Sequence, residues 1–121
     1  MNILLWDVET SPMVVATWGL FQQDIPHENI LEDWFIICAS WKWLDNNRIE
    51  NVAVIDNKER FKKNHKDDYH VVKTLHETLS KADCLVAHNG DKFDLKKFNA
   101  RAIYHRLSPI PPIPTIDTLR S

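Results

Sequence analysis

The first residues of the chain alternate between hydrophobic and polar in a way that suits an extended backbone. This period of two predicts a β-strand over residues 3–9. One face of the strand carries Leu4, Trp6 and Val8, and the other carries Ile3, Leu5, Asp7 and Glu9. Two carboxylates therefore share one face near the carboxyl end of this strand.

Three further stretches favour strands because they are rich in β-branched and aromatic residues. They span residues 13–20, 35–44 and 49–55. The polar segment 22–33 contains Pro26 and predicts a loop. A turn signal over residues 45–47 separates the last two strands, so a three-stranded antiparallel meander is the simplest arrangement.

The second half of the chain changes to a helical period. Apolar residues recur at intervals of three and four after Asp67, which predicts a helix capped by Asp67 or Asp68. The same spacing predicts a second helix over residues 94–107. Four prolines in segment 108–114 exclude a helix there and leave an extended chain, after which residues 116–117 can pair briefly.

Residues 84–87 form a short unbroken apolar run between the two helices, which is typical of a central strand buried on both faces. Strands followed by alternating strand and helix predict an α/β fold, a mixed sheet with flanking helices. The right-handed crossover rule places strand 84–87 parallel to strand 3–9. Their carboxyl ends then meet at the edge where open α/β sheets carry their sites. The polar residues at this edge are Asp7, Glu9, His88, Asn89 and Asp94.

The composition and length of the chain indicate one folded domain without a membrane-spanning segment. The chain has 121 residues, 44% of them hydrophobic, and a net charge of −2, which suits one core and excludes two full domains. Its longest nearly uncharged stretch, residues 34–41, is far shorter than a membrane span, and the N-terminus has no signal-peptide pattern. We therefore expect a cytoplasmic protein with no membrane partner, either free or associated with a phage or bacterial nucleoid.

Several chemically notable residues carry no site pattern of their own. Cys38 and Cys84 lie in separate apolar runs and are predicted to be buried free thiols. Trp18 is expected in the core, with base stacking as the alternative. The basic stretches 58–66 and 92–106 are expected to be solvated faces unless a catalytic acid lies beside them. Five histidines lack metal-ligand spacing and are predicted at the surface: His27, His65, His70, His76 and His105.

The acidic edge resembles a known nuclease family. Asp7-Val8-Glu9-Thr10 ends the first strand, and His88-Asn89-Gly90-Asp91-Lys92-Phe93-Asp94 follows the buried strand. These runs resemble the first two motifs of the DEDD exonucleases, the DnaQ-like group of the ribonuclease H-like fold, which includes proofreading domains of DNA polymerases. Ile116-Asp117-Thr118-Leu119 is similar to a run found after the second motif. The resemblance covers residues 2–119 and implies one ribonuclease H-like exonuclease domain over residues 1–121.

The resemblance implies metal-dependent hydrolysis of phosphodiesters. Two Mg²⁺ or Mn²⁺ ions about 4 Å apart activate the attacking water and stabilise the leaving oxygen in such sites, and hard cations prefer oxygen ligands. By this resemblance Asp7 bridges both ions, Glu9 serves the water-activating ion and Asp94 serves the leaving-group ion. The substrate-binding residues it implies are Thr10, His88, Asn89 and Phe93, and the lysines expected to contact a single strand are Lys92 and Lys96. Asp117 is expected to cap a helix or to support a site residue.

The family's third motif has no counterpart in this sequence. That motif supplies a fourth carboxylate and a His or Tyr general base on a later helix, and this sequence stops at Ser121. The resemblance therefore implies a domain that is truncated at its C-terminus and impaired in activity as it stands. We expect the face left uncovered to drive self-association or to accept a completing C-terminal chain.

The sequence thus predicts a 3′-to-5′ exonuclease that acts on single-stranded DNA 3′ ends. RNA remains an open option because no feature here reads a 2′-hydroxyl group. One alternative is a non-catalytic module that binds nucleic acid or protein through a nuclease-like fold. The other is a different ribonuclease H-like enzyme, such as an endonuclease or a Holliday-junction resolvase.

Overall fold

Five strands form one mixed sheet in a computed structural model of the chain, which describes residues 1–21 and 24–119. In chain order the strands are β1 (Ile3–Thr10), β2 (Val14–Val15), β3 (Ile30–Glu32), β4 (Ile36–Trp43), β5 (Glu50–Ala53), β6 (Cys84–Ala87) and β7 (Thr115–Asp117). The helices are α1 (Lys58–Lys63), α2 (Tyr69–Leu79) and α3 (Asp94–Tyr104). Short 3₁₀ turns occupy His27–Asn29 and Val54–Asp56.

The strand order of the main sheet is β5-β4-β1-β6-β7. β1, β4 and β5 pair antiparallel, whereas β6 is parallel to both β1 and β7. The predicted antiparallel pairing of strands 35–44 and 49–55 and the predicted parallel strand are therefore confirmed, and β1 is the third member of the meander. With its flanking helices, this mixed sheet confirms the predicted ribonuclease H-like α/β fold class.

Helices α2 and α3 supply the hydrophobic side chains that cover one face of the sheet. Leu4 and Val8 of β1 are almost completely buried against Leu75 of α2 and Phe98 of α3 in one core cluster. The ring of Trp6 meets the ring of Phe98 edge to face, with 6.4 Å between centroids. The alternation along β1 thus commits its apolar side to the helices and leaves the side with Asp7 and Glu9 facing away from them.

The segment after β1 departs from the sequence prediction. Instead of one strand over residues 13–20, only Val14–Val15 is a strand, and it pairs with β3 in a separate two-stranded ribbon. The loop predicted over residues 22–33 was wrong where it contains β3, while residues 22 and 23 lie outside the described part. We call the described residues of this segment, 13–21 and 24–32, the arm. Trp18 in the arm is 100% exposed, so its predicted place in the core is also wrong, because the arm is not part of the main sheet.

Two elements next to the core were not predicted. The basic stretch 58–66 contains helix α1, whose N-cap Asn57 accepts a hydrogen bond from the backbone of Arg60. Strand β5 ends at Ala53, earlier than the predicted residue 55, because residues 54–56 turn into a 3₁₀ helix. Among the described residues, no helix is both long enough and apolar enough to cross a membrane.

Asp68 precedes α2 as predicted, but its side chain does not cap the helix. The backbone N–H of Tyr69 donates to Asp67 instead. The fully buried Asp68 carboxylate accepts hydrogen bonds from the Nε and one terminal nitrogen of Arg101, both at 2.8 Å, and from the N–H of Ile36 at 2.9 Å. Burial opposes ionisation of this carboxyl, but the hydrogen bonds from Arg101 and Ile36 outweigh it and lower the Asp68 pKa.

The same carboxylate corrects one histidine prediction. His105 bonds Asp68 through Nε2, and only 11% of its side chain is exposed, so its predicted surface position is wrong. The period of α3 could not reveal this, because the partner of His105 comes from the other helix. Asp68 thereby links the beginnings of β4 and α2 to the end of α3.

Candidate functional site

The acidic site begins on the face of β1 that points away from the helices. Asp7 and Glu9 are exposed there, opposite Ser40 and Cys38 of β4. The register shifts between Glu9 and Thr10, an irregularity that re-aims the end of the strand next to the site. The half-buried Cys38 thiol has a raised pKa because of burial and the charges of Glu9 and Asp7. The charges of both acids are therefore felt by the same residue on the exposed face of the sheet.

Asp94 reaches this edge from the first position of α3. Its side chain is only 2% exposed, and its Oδ2 accepts a hydrogen bond from the N–H of Val8 at 3.0 Å. Strand β6 pairs with β1 only as far as Leu5, so the N–H of Val8 lies beyond the last partner that β6 provides. Asp94 satisfies this buried donor, which would otherwise be costly to leave unpaired.

The Asp7 and Asp94 carboxyl groups lie within hydrogen-bonding reach of each other. Burial, helped by the charge and hydrogen bond of Asp7, raises the pKa of Asp94 to about 6, although the hydrogen bond from Val8 opposes the rise. Two carboxylates placed together in a poorly solvated site repel each other unless a proton or a cation lies between them. The pair is therefore a place of concentrated negative charge.

The loop after β6 has a fixed backbone shape. Asn89 has a φ of 59°, a left-handed conformation that asparagine tolerates better than most residues. Its N–H donates to Asp117 Oδ1 at 2.8 Å. A Cβ on Gly90 would lie 2.6 Å from the Cβ of Ala87, so only glycine fits without displacement. Of the two roles predicted for Asp117, helix cap or support of a site residue, the structure shows the second, because its carboxylate holds the loop after β6.

His88 opens onto the same face as Asp7. The two residues line one shallow cavity of about 280 Å³, together with Thr118 and hydrophobic residues of β1 and β6. The His88 Nδ1 atom lies 3.1 Å from the Thr118 hydroxyl oxygen. This contact orients the exposed ring beside the acidic pair.

The other residues implied by the family resemblance surround this centre less closely. Thr10 is half-buried at the end of β1, past the register shift. The Phe93 ring packs partly against the core and lies 5.7 Å from the Lys97 ammonium, which also sits 4.2 Å from the Trp34 ring. Lys92 and Lys96 are exposed.

The acidic edge brings two of the three predicted metal ligands together. Within residues 1–21 and 24–119, no group of three or more His, Cys, Asp or Glu side chains is placed to hold a metal ion. Asp7 and Asp94 nevertheless meet, and Mg²⁺ is commonly held by one or two carboxylates while it keeps several waters. The raised pKa of Asp94 fits a site whose charge a cation would balance. Glu9, two residues along the same face, is the nearest further acid on β1.

The loop after β6 contains a buried polar atom that lacks a hydrogen-bond partner in the described part of the chain. The Oδ1 atom of Asn89 is buried and has no hydrogen-bond partner among the described residues. Buried polar atoms are nearly always paired in folded proteins, so this carbonyl oxygen is available to a donor from a bound molecule. The sequence motif had singled out Asn89, but its buried position depends on Asp117, which is 28 residues away.

Sequence reasoning missed three neighbours of the site. Ser40 and Cys38 flank the acids only through the β1–β4 register, and no local signal in residues 35–44 points to this. Thr118 had a weak signal, since it belongs to the run 116–119 that resembles a family sequence, and it contacts His88. The Lys97–Trp34 contact joins two segments that carry no shared motif.

Comparison with known proteins supports the fold. No protein-family model and no curated protein matches the chain. Among solved structures, a family B DNA polymerase from the hyperthermophilic archaeon Pyrobaculum calidifontis is similar to this chain, with a TM-score of 0.62 and 14% sequence identity. The match covers 98% of this chain and 15% of the polymerase chain. The chain therefore spans a small part of that polymerase, and the likeness shows that the two share a fold.

Proposed function

We propose that this domain is a metal-dependent 3′-to-5′ exonuclease that acts on single-stranded DNA ends, with RNA as an alternative substrate. The observation that carries the proposal is that Asp7 and Asp94 meet at this edge, where burial together with the charge of Asp7 raises the pKa of Asp94 to about 6. A structural acid with an ordinary partner would be paired with a cation or a set of donors, as Asp68 is. Asp94 instead accepts the backbone N–H of Val8 and lies beside a second carboxyl group.

The proposed ligands for Mg²⁺ or Mn²⁺ are Asp7, Glu9 and Asp94. Bound there, two such ions would supply charge stabilisation and an activated water for phosphodiester hydrolysis. Asp7 and Asp94 are already adjacent, while Glu9 would approach from the same face of β1. A bound cation would balance the charge of the two carboxylates, and the bond to Val8 would keep the Asp94 carboxylate oriented.

The substrate-contact residues belong to the loop after β6 and the end of β1. The unpaired Asn89 oxygen is suited to accept a hydrogen bond from a sugar hydroxyl or a base N–H of a terminal nucleotide. His88 would flank the scissile phosphate, because it lines the Asp7 cavity. Thr10 and Phe93 would border the nucleotide, and Lys92 and Lys96 would contact the strand without reading its sequence.

A nuclease assay with matched carboxylate variants tests the proposal. The substrate is a 5′-labelled single-stranded DNA 20-mer, incubated with Mn²⁺ and with either the wild type, Asp7→Asn or Asp94→Asn. We expect the labelled strand to shorten progressively from its 3′ end, at a rate reduced about a hundredfold or more in both variants. Asp91→Asn, in the same loop but outside the pair, is the matched control and should retain activity. Equal cleavage by all four proteins would overturn the proposal.

A non-catalytic binding module is the second candidate. It is favoured by the absence of a three-residue metal group in the described part of the chain. Under this alternative the wild type would bind single-stranded DNA without cleaving it, and Mn²⁺ would give no heat in calorimetry. Metal binding lost in Asp7→Asn separates the proposed enzyme from the module even where turnover is slow.

Product analysis separates the exonuclease from other ribonuclease H-like enzymes. An exonuclease releases mononucleotides and needs a free 3′ end, so a circular single strand should remain intact. Internal cuts in the circle, or cleavage of a four-way junction, would favour an endonuclease or a resolvase.

A further inference from the structure

The arm exposes an unusual amount of hydrophobic surface for a segment outside the core. Large hydrophobic residues exposed there are Met13, Val14, Trp18, Leu20, Phe21, Ile25 and Leu31. Trp18 is 100% exposed and Leu20 is 90% exposed. So many exposed large hydrophobic side chains in one short segment are typical of a contact with another molecule.

The charge of the arm discriminates between classes of partner. The first 41 residues contain six Asp and Glu residues and no Lys or Arg, so all 15 basic residues follow them. The arm itself carries Asp24, Glu28 and Glu32. Binding to nucleic acid depends on basic residues that neutralise phosphates. An acidic surface repels the phosphates instead. The arm therefore fits a basic protein surface rather than a nucleic acid.

The same chain carries such a surface on α1. Lys58, Lys62 and Lys63 are exposed, and within residues 1–21 and 24–119 none of them has an ion-pair partner. Just after α1, Lys66 bridges to Glu32 of the arm at 2.5 Å within the molecule. The base of the arm thus already pairs with this basic segment, while the acids nearer its tip, Asp24 and Glu28, have no ion pair in that part of the chain.

Apolar groups accompany the lysines. The rings of Phe61 and His65 stack with 4.3 Å between centroids, and the aliphatic stems of lysines readily cover hydrophobic side chains. From this complementarity we propose that the arm of one molecule docks on α1 of a second copy, with Trp18 and Leu20 against the lysine stems and the Phe61–His65 pair.

This contact joins two different patches and is therefore heterologous. Two copies can exchange arms reciprocally to close a dimer, or they can continue as an open chain. In either arrangement the affinity falls with added salt, because salt screens the attraction between exposed charges. The screening length is already only about 8 Å at physiological ionic strength.

Sedimentation velocity of the full chain tests the proposal with two complementary variants. We expect the wild type to associate as its concentration rises, with a dissociation constant that weakens as NaCl increases. The arm variant Trp18→Ser/Leu20→Ser and the α1 variant Lys58→Glu/Lys62→Glu/Lys63→Glu should each be about tenfold or more weaker. Circular dichroism and the unfolding midpoint of both variants should match the wild type, because all substituted side chains are exposed.

Mixing the two variants gives the decisive result. The arm variant keeps an intact α1 and the α1 variant keeps an intact arm, so an equimolar mixture should form a 1:1 complex that neither forms alone. A monomeric wild type at all concentrations would overturn the proposal, as would undiminished association of the arm variant. A loss of single-stranded DNA binding in the arm variant, without any change in association, would also overturn it in favour of a nucleic-acid contact.

Discussion

Asp94 accepts a hydrogen bond from the backbone N–H of Val8, which precedes it by 86 residues. The bond lies where β6 has ended and β1 continues, so the side chain replaces a missing strand partner. It also fixes the carboxyl group next to Asp7. One structural hydrogen bond thereby creates the acidic pair on which the proposed activity depends.

Asp94→Asn is expected to stabilise the metal-free protein at pH 7. An amide oxygen can still accept the Val8 bond, while the cost of holding a buried charge beside Asp7, which raises the Asp94 pKa to about 6, disappears. The gain should be about 1–3 kcal/mol in the free energy of unfolding. Asp94→Ala should instead lose about 1–3 kcal/mol because it leaves a buried N–H unpaired. Urea unfolding in EDTA measures both values, and equal destabilisation of the two variants would contradict this account.

Stability of the metal-free protein should fall as the pH rises from about 4 to about 6. In that window the folded protein binds more protons than the unfolded chain, because the Asp94 pKa rises from 3.8 to about 6 on folding. The opposite holds for Asp68, whose pKa is lowered, so its contribution is lost as the pH falls below about 4. Thermal unfolding between pH 3 and 8 measures both slopes. A decline between pH 4 and 6 that persists in Asp94→Asn would refute the assignment.

Asp68→Ala should destabilise the fold by about 3–5 kcal/mol, since it leaves the buried guanidinium of Arg101 without its partner. Lys66→Ala is the matched control. It breaks a bridge to Glu32 in which both side chains are nearly half exposed, so it should cost at most about 1 kcal/mol. Denaturant unfolding of both variants decides the comparison, and similar losses would show that Asp68 is not the main polar anchor.

Gly90→Ala should cost about 1–3 kcal/mol because its new Cβ would overlap the Cβ of Ala87. Ala87→Gly removes that atom, so the double variant should recover part of the loss. A double-mutant cycle measures the recovery as a coupling energy. Additive losses would mean that the close approach of Ala87 does not determine the glycine requirement.

Asn89→Gly and Asn89→Ala separate backbone from side-chain roles. Glycine adopts a φ of 59° freely, whereas alanine should lose about 1–2 kcal/mol of stability in this left-handed conformation. Both variants lack the buried carbonyl oxygen, so both should weaken binding of a single-stranded DNA end by a similar factor. Fluorescence anisotropy of a labelled oligonucleotide gives the binding, and unchanged affinity in both would remove Asn89 from the proposed substrate site.

Local patterns were sufficient for the elements that build the core. The period of two over residues 3–9, the apolar run 84–87 and the helical spacing after Asp94 each appear in the structure close to the predicted bounds. These predictions succeed because one buried face imposes its period on the sequence. The strand predicted over residues 13–20 failed because strand propensity alone does not provide a neighbouring strand in the main sheet.

Contacts between distant segments account for what the sequence did not reveal. The Asp68, Arg101 and His105 cluster joins two helices, and neither helix shows its partner in its own period. The exposure of Trp18 depends on the position of the arm relative to the core, and the apolar composition of the arm does not reveal that position. Charged and aromatic residues are therefore harder to place than aliphatic ones, because their burial depends on a partner.

By itself, the sequence determined the α/β class, the parallel placement of β6 beside β1, and the motifs that carry the acids. Hydrophobic periodicity and crossover handedness are properties of the chain and need no knowledge of side-chain contacts. Only the tertiary structure decided that Asp94 is buried against Asp7, that Asn89 is left with an unpaired oxygen, and that the arm is exposed. Those features depend on distances between residues far apart in the chain, which become fixed only when the core has packed.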